Sequence, residues 1–431
     1  MSRVERALSI FIGLGTVVLL ALILLIFNQS KSLSETDKAK LKPASTAAGE
    51  DLAEQSEEES EALDRALASE ALKDSSSTKE SENLEENVEA RESSTYKEAR
   101  IEQILAELSL EEKVAQVFLV HYPPPNFSEP RLKKAIGGYL FFANAFTELS
   151  PTEVRERNLA IQAELKIPAF LAVDEEGGQV NRLSIHKQLR AEAFRSPREL
   201  YLAGGLDLCA KDSREKSKFL RELAFNLNLA PVADLSTNPQ DFIYARSLGE
   251  DAASTAAYIE RVVEGMQEEK IASCLKHFPG YGNNLDTHLE LAYDGRDLAN
   301  FWAQDLIPFK AGIEAGASLV LLSHNLVAAI DPELPASLSA KTVKILREDL
   351  GFEGVIICDD LAMEGVKRFA EEEDLAVLAF LAGNDLICTA KAEVQIPKLI
   401  AALRSGQIAE SRLDDSLRRI LKLKMDLALL E

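Results

Sequence analysis

The side chains able to move protons or attack carbon gather in a few short segments of the 431-residue chain. Asp174-Glu175-Glu176 and Asp359-Asp360 are carboxylate runs, each preceded by an apolar stretch. Lys276-His277 and Ser323-His324 end two further stretches, and Asp286-Thr287-His288 sets a carboxylate beside an imidazole. An imidazole titrates near pH ~6.5 and suits proton transfer around neutrality; a neighbouring carboxylate orients the ring and steadies its cation. A carboxylate fixed at a strand end serves as base, nucleophile or electrostatic partner. A metal-hydrolase reading through His277, Asp286, His288 and Asp359 is open on residue type alone. No HExxH or comparable ligand spacing supports it, so no metal and no cofactor is expected.

These clusters need a frame that brings them together. From about residue 98, apolar runs alternate with amphipathic stretches. The predicted strands are Val114–Val120, Ile136–Phe142, Ala169–Val173, Leu227–Val232, Ala272–Phe278, Ser318–Ser323, Gly354–Cys358 and Gly383–Cys388. Helical spacing covers Thr152–Leu165, Arg214–Phe225, Ala252–Glu268, Ala299–Ile313, Lys341–Leu350 and a closing helix over Arg412–Leu430. Short buried strands alternating with helices predict a parallel sheet, and eight such repeats predict an α/β fold, a single (β/α)8 TIM-type barrel. A doubly wound open sheet is the competing arrangement, but no GxGxxG follows the first strand. In a barrel, chemistry belongs at the C-terminal ends of the strands, which is where the polar clusters fall.

Lys276-His277-Phe278-Pro279-Gly280-Tyr281-Gly282 followed by Asp286-Thr287-His288 resembles the signature of bacterial β-N-acetylglucosaminidases (β-N-acetylhexosaminidases) in glycoside hydrolase family 3. Gly354-Val355-Ile356-Ile357-Cys358-Asp359-Asp360-Leu361-Ala362-Met363-Glu364-Gly365 resembles that family's nucleophile strand, and the resemblance extends through Val173–Arg182, Leu229–Asp234, Ala245–Asp251 and Asp331–Ser339. Some residues depart from the pattern. Cys358 stands where a serine is usual, Tyr281 where a histidine is common, and His121-Tyr122-Pro123-Pro124-Pro125 is not matched to the pattern.

The resemblance implies a retaining exo-β-N-acetylglucosaminidase that removes terminal β-linked N-acetylglucosamine from peptidoglycan fragments or related amino-sugar glycans. It implies Asp359 as nucleophile, His288 as acid/base and Asp286 as the partner of His288. Asp174, Arg182, Arg246, Lys276 and His277 are implied to hold the terminal sugar; plain salt bridging at the barrel mouth is the alternative for Arg246 and Lys276. Another retaining β-glycosidase and a non-catalytic wall-binding module are the competing functions. The retention of Asp286, His288 and Asp359 together speaks against the second.

Composition bounds the partners. With 71 acidic and 48 basic residues the net charge is −23, which argues against nucleic acid, whose phosphates demand a basic face. The four cysteines show no CxxC spacing, and Cys274, Cys358 and Cys388 fall in or near strands, where they pack as small apolar side chains. Ala7–Gln29 is uncharged over 23 residues and predicts an N-terminal transmembrane anchor over residues 1–29. That places the chain in a bacterial cytoplasmic membrane as a single-pass protein, with the catalytic domain extracytoplasmic. Residues 30–97 hold 18 acidic and 9 basic residues and one aromatic, Tyr96, which predicts a disordered acidic spacer. The barrel domain is expected over 98–431.

Overall fold

Eight short strands, buried along almost their whole length, close on themselves in a computed structural model that describes residues 95–127, 130–282 and 292–430. These residues belong to one compact unit, Ala90–Glu431. The strands are β1 (Phe118–His121), β2 (Gly138–Phe141), β3 (Phe170–Val173), β4 (Leu227–Asn228), β5 (Ala272–Phe278), β7 (Leu319–Leu322), β9 (Val355–Cys358) and β10 (Leu386–Thr389). They form a closed, all-parallel barrel in the order β1-β10-β9-β7-β5-β4-β3-β2, with Leu119 opposite Cys388 on one side and Gly138 on the other. A two-stranded parallel sheet, β6 (Tyr293–Asp294) with β8 (Leu326–Val327), lies outside the barrel sheet. The expected barrel is present.

Boundaries shift where local chemistry outweighs hydrophobicity. Val114–Gln116, expected in the first strand, closes the helix Leu110–Gln116, because Ser109 and Glu112 form a capping box that starts a helix there. The fourth strand shortens to Leu227–Asn228, since Pro231 has no N–H for a ladder; only Val232 re-pairs, bridging Lys276. The last strand starts at Leu386 because Gly383, at φ 116°, ends the helix Leu375–Ala382. The fifth strand and the helix Ala252–Glu268 keep their expected bounds.

The expected membrane placement, with the membrane as a partner through an N-terminal helix, is corrected. Among the described residues no helix is long and apolar enough to cross a membrane. Pro197–Glu222 reaches 26 residues but is charged along its length and breaks at Gly204 and Gly205, whereas a span needs about 20 mostly apolar residues. The run Ala7–Gln29 and the spacer as far as residue 94 lie outside the described residues. Residues 95–107 form a helix, and Lys97 pairs with Asp426 at 2.6 Å.

The N-terminal end of the barrel fully encloses a lysine. Lys424, on the helix Glu410–Asp426, is fully enclosed; its Nζ donates to Gln116 Oε1 at 2.8 Å and lies 5.0 Å from the centroid of the Phe170 ring. Burial lowers its pKa from 10.5 to about 7. A depressed lysine costs folding stability in full below pH 7, and the cost fades between pH 7 and 10.5, where only the unfolded chain still binds the proton. Lys424→Met is therefore expected to stabilise the fold by about 1–4 kcal/mol at neutral pH. The gain should shrink toward zero by pH 10 in urea titrations, and a pH-independent gain would contradict the assignment.

Candidate active site

The polar residues that interrupt the strands meet at the C-terminal mouth. Asp174 and Glu176 follow β3, Lys276 and His277 end β5, and Arg246 comes from the loop after β4. Lys276 Nζ lies 2.7 Å from Asp174 Oδ1 and 2.6 Å from Glu176 Oε1. Arg246 grips the same Glu176 with two hydrogen bonds, Nε at 3.0 Å and Nη2 at 2.7 Å. Two anions and two cations thus share one pocket, and Lys276 and Glu176 are only 2% exposed along their side chains. Burial by itself would raise the Glu176 pKa, yet the charges of Arg246 and Lys276 outweigh it and hold the carboxyl far below its usual range. Burial likewise opposes the charge on Lys276, and Asp174 with Glu176 reverses that effect.

His277 is locked on both sides. Its Nδ1 is 2.7 Å from Asp234 Oδ2 and its Nε2 is 3.2 Å from Arg246 Nη2. A guanidinium has no acceptor, so Nε2 accepts and the ring proton sits on Nδ1, donated to Asp234. Asp234 also accepts from the backbone N–H groups of His277 at 3.0 Å and Tyr281 at 2.7 Å, fixing the turn that follows β5. Glu175 is a fastener: its carboxylate accepts the N–H groups of Arg182 and Leu183 at 2.8 Å and Ser184 at 3.1 Å. That brings the guanidinium carbon of Arg182 within 5.8 Å of the Phe142 ring centroid, on the rim.

Asp359 follows β9 directly. Its N–H donates to Leu322 O at 2.9 Å, and its Oδ1 accepts the Asp360 N–H at 2.8 Å. Oδ2 takes no hydrogen bond from the described residues. Asp359 after β9 and Asp174 after β3 both leave the C-terminal end of the closed parallel barrel. Beneath them His324 is fully buried, its Nε2 donating to Asp360 O at 2.9 Å and its Nδ1 accepting from Ser337 Oγ at 2.7 Å. Asp360 turns aside, with Oδ1 accepting from Ala362 N at 3.0 Å. Burial raises the thiols of Cys274, Cys358 and Cys388, and none is in a disulfide. Asp286 and His288 lie outside the described residues.

The Glycosyl hydrolase family 3 N terminal domain matches residues 109–423. The chain belongs to glycosyl hydrolase family 3. As a family 3 chain it is a glycoside hydrolase. It is similar to a beta-hexosaminidase of Stenotrophomonas maltophilia (strain K279a), at 36% identity over 238 residues, covering 53% of this chain and 68% of the relative. It is also similar to a beta-hexosaminidase of Xylella fastidiosa (strain 9a5c), at 33% identity over 283 residues, covering 64% and 83%. Among solved structures it resembles a glycoside hydrolase family 3 beta-N-acetylglucosaminidase from Paenibacillus sp. str. FPU-7, with TM-score 0.69 and 30% identity over 75% of this chain and 63% of that one. The resemblance read from the motifs to the family's β-N-acetylhexosaminidase type is the one these relatives share.

Of the expected sugar-site residues, the family 3 barrel brings Asp174, Arg246, Lys276 and His277 into one hydrogen-bonded set, with Arg182 apart at the rim. The salt bridging considered for Arg246 and Lys276 is real, and it orients both cations instead of removing them from the mouth. Two residues of this set, Glu176 and Asp234, were noted in the sequence but given no role. Their signal was present, since each is an acid just past an apolar run, but their partners lie 70 and 43 residues away.

Removing Glu176 leaves two buried cations with one anion. Glu176→Gln is expected to cost about 3–5 kcal/mol of stability, read as a lower urea midpoint. An unchanged midpoint would show that the four charges do not act as a set.

Proposed function

We propose that this chain is a retaining exo-β-N-acetylglucosaminidase, with residues 98–431 as its catalytic domain, acting on peptidoglycan fragments or related amino-sugar glycans. The observation that carries the reading is the placement of Asp359, with one carboxylate oxygen free of hydrogen bonds from the described residues, at the same C-terminal end of the barrel as Asp174. The likeness to relatives named beta-hexosaminidase supports the choice of sugar.

In this proposal Asp174 accepts from sugar hydroxyls while Arg246 and Lys276, already oriented by Glu176, donate to sugar oxygens. Asp359 Oδ2 attacks the anomeric carbon as the glycosidic bond breaks, and His288 gives its proton to the departing oxygen. Asp286 orients His288 and stabilises its cation. A water, deprotonated by His288, then displaces Asp359 and releases the sugar with its original anomeric configuration. Every proton taken in the second step restores the one given in the first.

Asp359→Ala is expected to abolish turnover. His288→Ala should slow substrates with poor leaving groups by at least about a hundredfold and those with acidic leaving groups far less, because only the former need protonation. Equal losses on both would remove His288 from the acid role. Paired chromogenic N-acetylglucosaminides and glucosides test the sugar, and faster glucoside release overturns it. A 5-fluoro glycoside that labels any residue other than Asp359 overturns the nucleophile.

A further inference from the structure

One motif stays outside this chemistry: the His121-Tyr122-Pro123-Pro124-Pro125 segment that starts at the end of β1. His121 sits where three adjacent strands end, since β1 pairs with β10 and β10 with β9. The next strand presents Cys388, and the turn after β9 presents Asp360. The Leu361 N–H donates to Cys388 O at 3.0 Å, binding that turn to β10. One donor atom each from His121, Asp360 and Cys388 lie within 4.8 Å of one another, the one group of three such donors among the described residues.

Two of the three donors are already in contact. His121 Nε2 lies 2.9 Å from Asp360 Oδ2, yet this buried nitrogen has no partner in hydrogen-bond alignment. Imidazole nitrogen, carboxylate oxygen and thiolate sulfur are a donor set suited to zinc. Tetrahedral zinc with ligands at ~2.0–2.3 Å holds donor atoms about 3.3–3.8 Å apart, against the 4.8 Å within which these three lie. The carboxylate and a thiolate together balance the two positive charges. Access is from the mouth, where the His121 and Asp360 side chains are 24% and 19% exposed.

We propose that His121, Asp360 and Cys388 form a zinc-binding site at the mouth of the barrel, distinct from the sugar-holding residues, whose occupancy slows the reaction at Asp359. Binding displaces the Cys388 thiol proton to solvent. The bound cation, one residue from Asp359, stabilises that carboxylate as an anion and opposes its transfer of charge to the sugar. The inhibitory consequence rests on the role proposed for Asp359; the binding does not.

The test uses the full chain stripped of metal. Zinc affinity is measured by calorimetry, and cobalt is used as a coloured probe whose thiolate charge-transfer band reports a sulfur ligand. His121→Ala and Cys388→Ser should each weaken zinc binding at least about tenfold, and the serine variant should lose the near-ultraviolet cobalt band. Both should keep wild-type turnover in metal-free buffer and resist added zinc, whereas zinc should slow the unaltered chain. Unchanged zinc affinity in both variants, or a cobalt spectrum without the thiolate band in the unaltered chain, overturns the site. Zinc bound through these residues without slowing turnover overturns the inhibitory coupling alone.

Discussion

Four charges held out of water at the mouth of the barrel constrain everything around them. Asp174, Glu176, Lys276 and Arg246 come from three successive strands and the loops they feed, and each is tolerable there only because the set is neutral. An isolated ammonium or carboxylate in that position would carry a desolvation cost of several kcal/mol. The set therefore works as a clasp between β3, the loop after β4, and β5. Because the cations are already oriented by Glu176, they need no rearrangement to donate to a ligand, which is what preorganised polar groups contribute in a reacting site.

The clasp has its own supports. Asp234 holds the Nδ1 proton of His277, so the acceptor Nε2 is presented to Arg246, and the same carboxylate ties down the turn before Gly282. Glu175 points away from the mouth and spends its two oxygens on three backbone N–H groups, which shapes the loop carrying Arg182. Three acids in a row after β3 thus have three fates, set by which direction each side chain leaves an extended backbone. On the other side, His324 pins the Asp360 carbonyl, so the segment bearing Asp359 is fixed from below.

The two ends of the barrel divide the work. The C-terminal end concentrates opposed charges and opens to solvent. The N-terminal end closes over Lys424 and anchors the last helix through Asp385, which accepts from Ser416 at 2.7 Å and pairs with Arg347 and Arg419. Between them the strands supply small buried thiols, Cys274, Cys358 and Cys388. Only Cys388 has an imidazole and a carboxylate within reach, because it is on the strand next to β1.

Much of the architecture was legible without coordinates, for a definite reason. A strand buried on both faces must be apolar throughout, so polar residues at its end stand out, and in a parallel barrel those ends all face one way. Asp174, Lys276, His277 and Asp359 were found by that rule. Strand limits at residues 114, 232 and 383 were not, because a capping box, a proline and a left-handed glycine decide them locally. The sequence by itself determined the barrel and which residues reach its mouth, since periodicity and strand ends are properties of neighbours along the chain. Only the tertiary structure decided who pairs with whom: that Glu176 holds both Arg246 and Lys276, that Asp234 sets the His277 tautomer, and that His121 meets Cys388. Those pairings depend on the order of strands around a closed sheet, which no local spacing encodes.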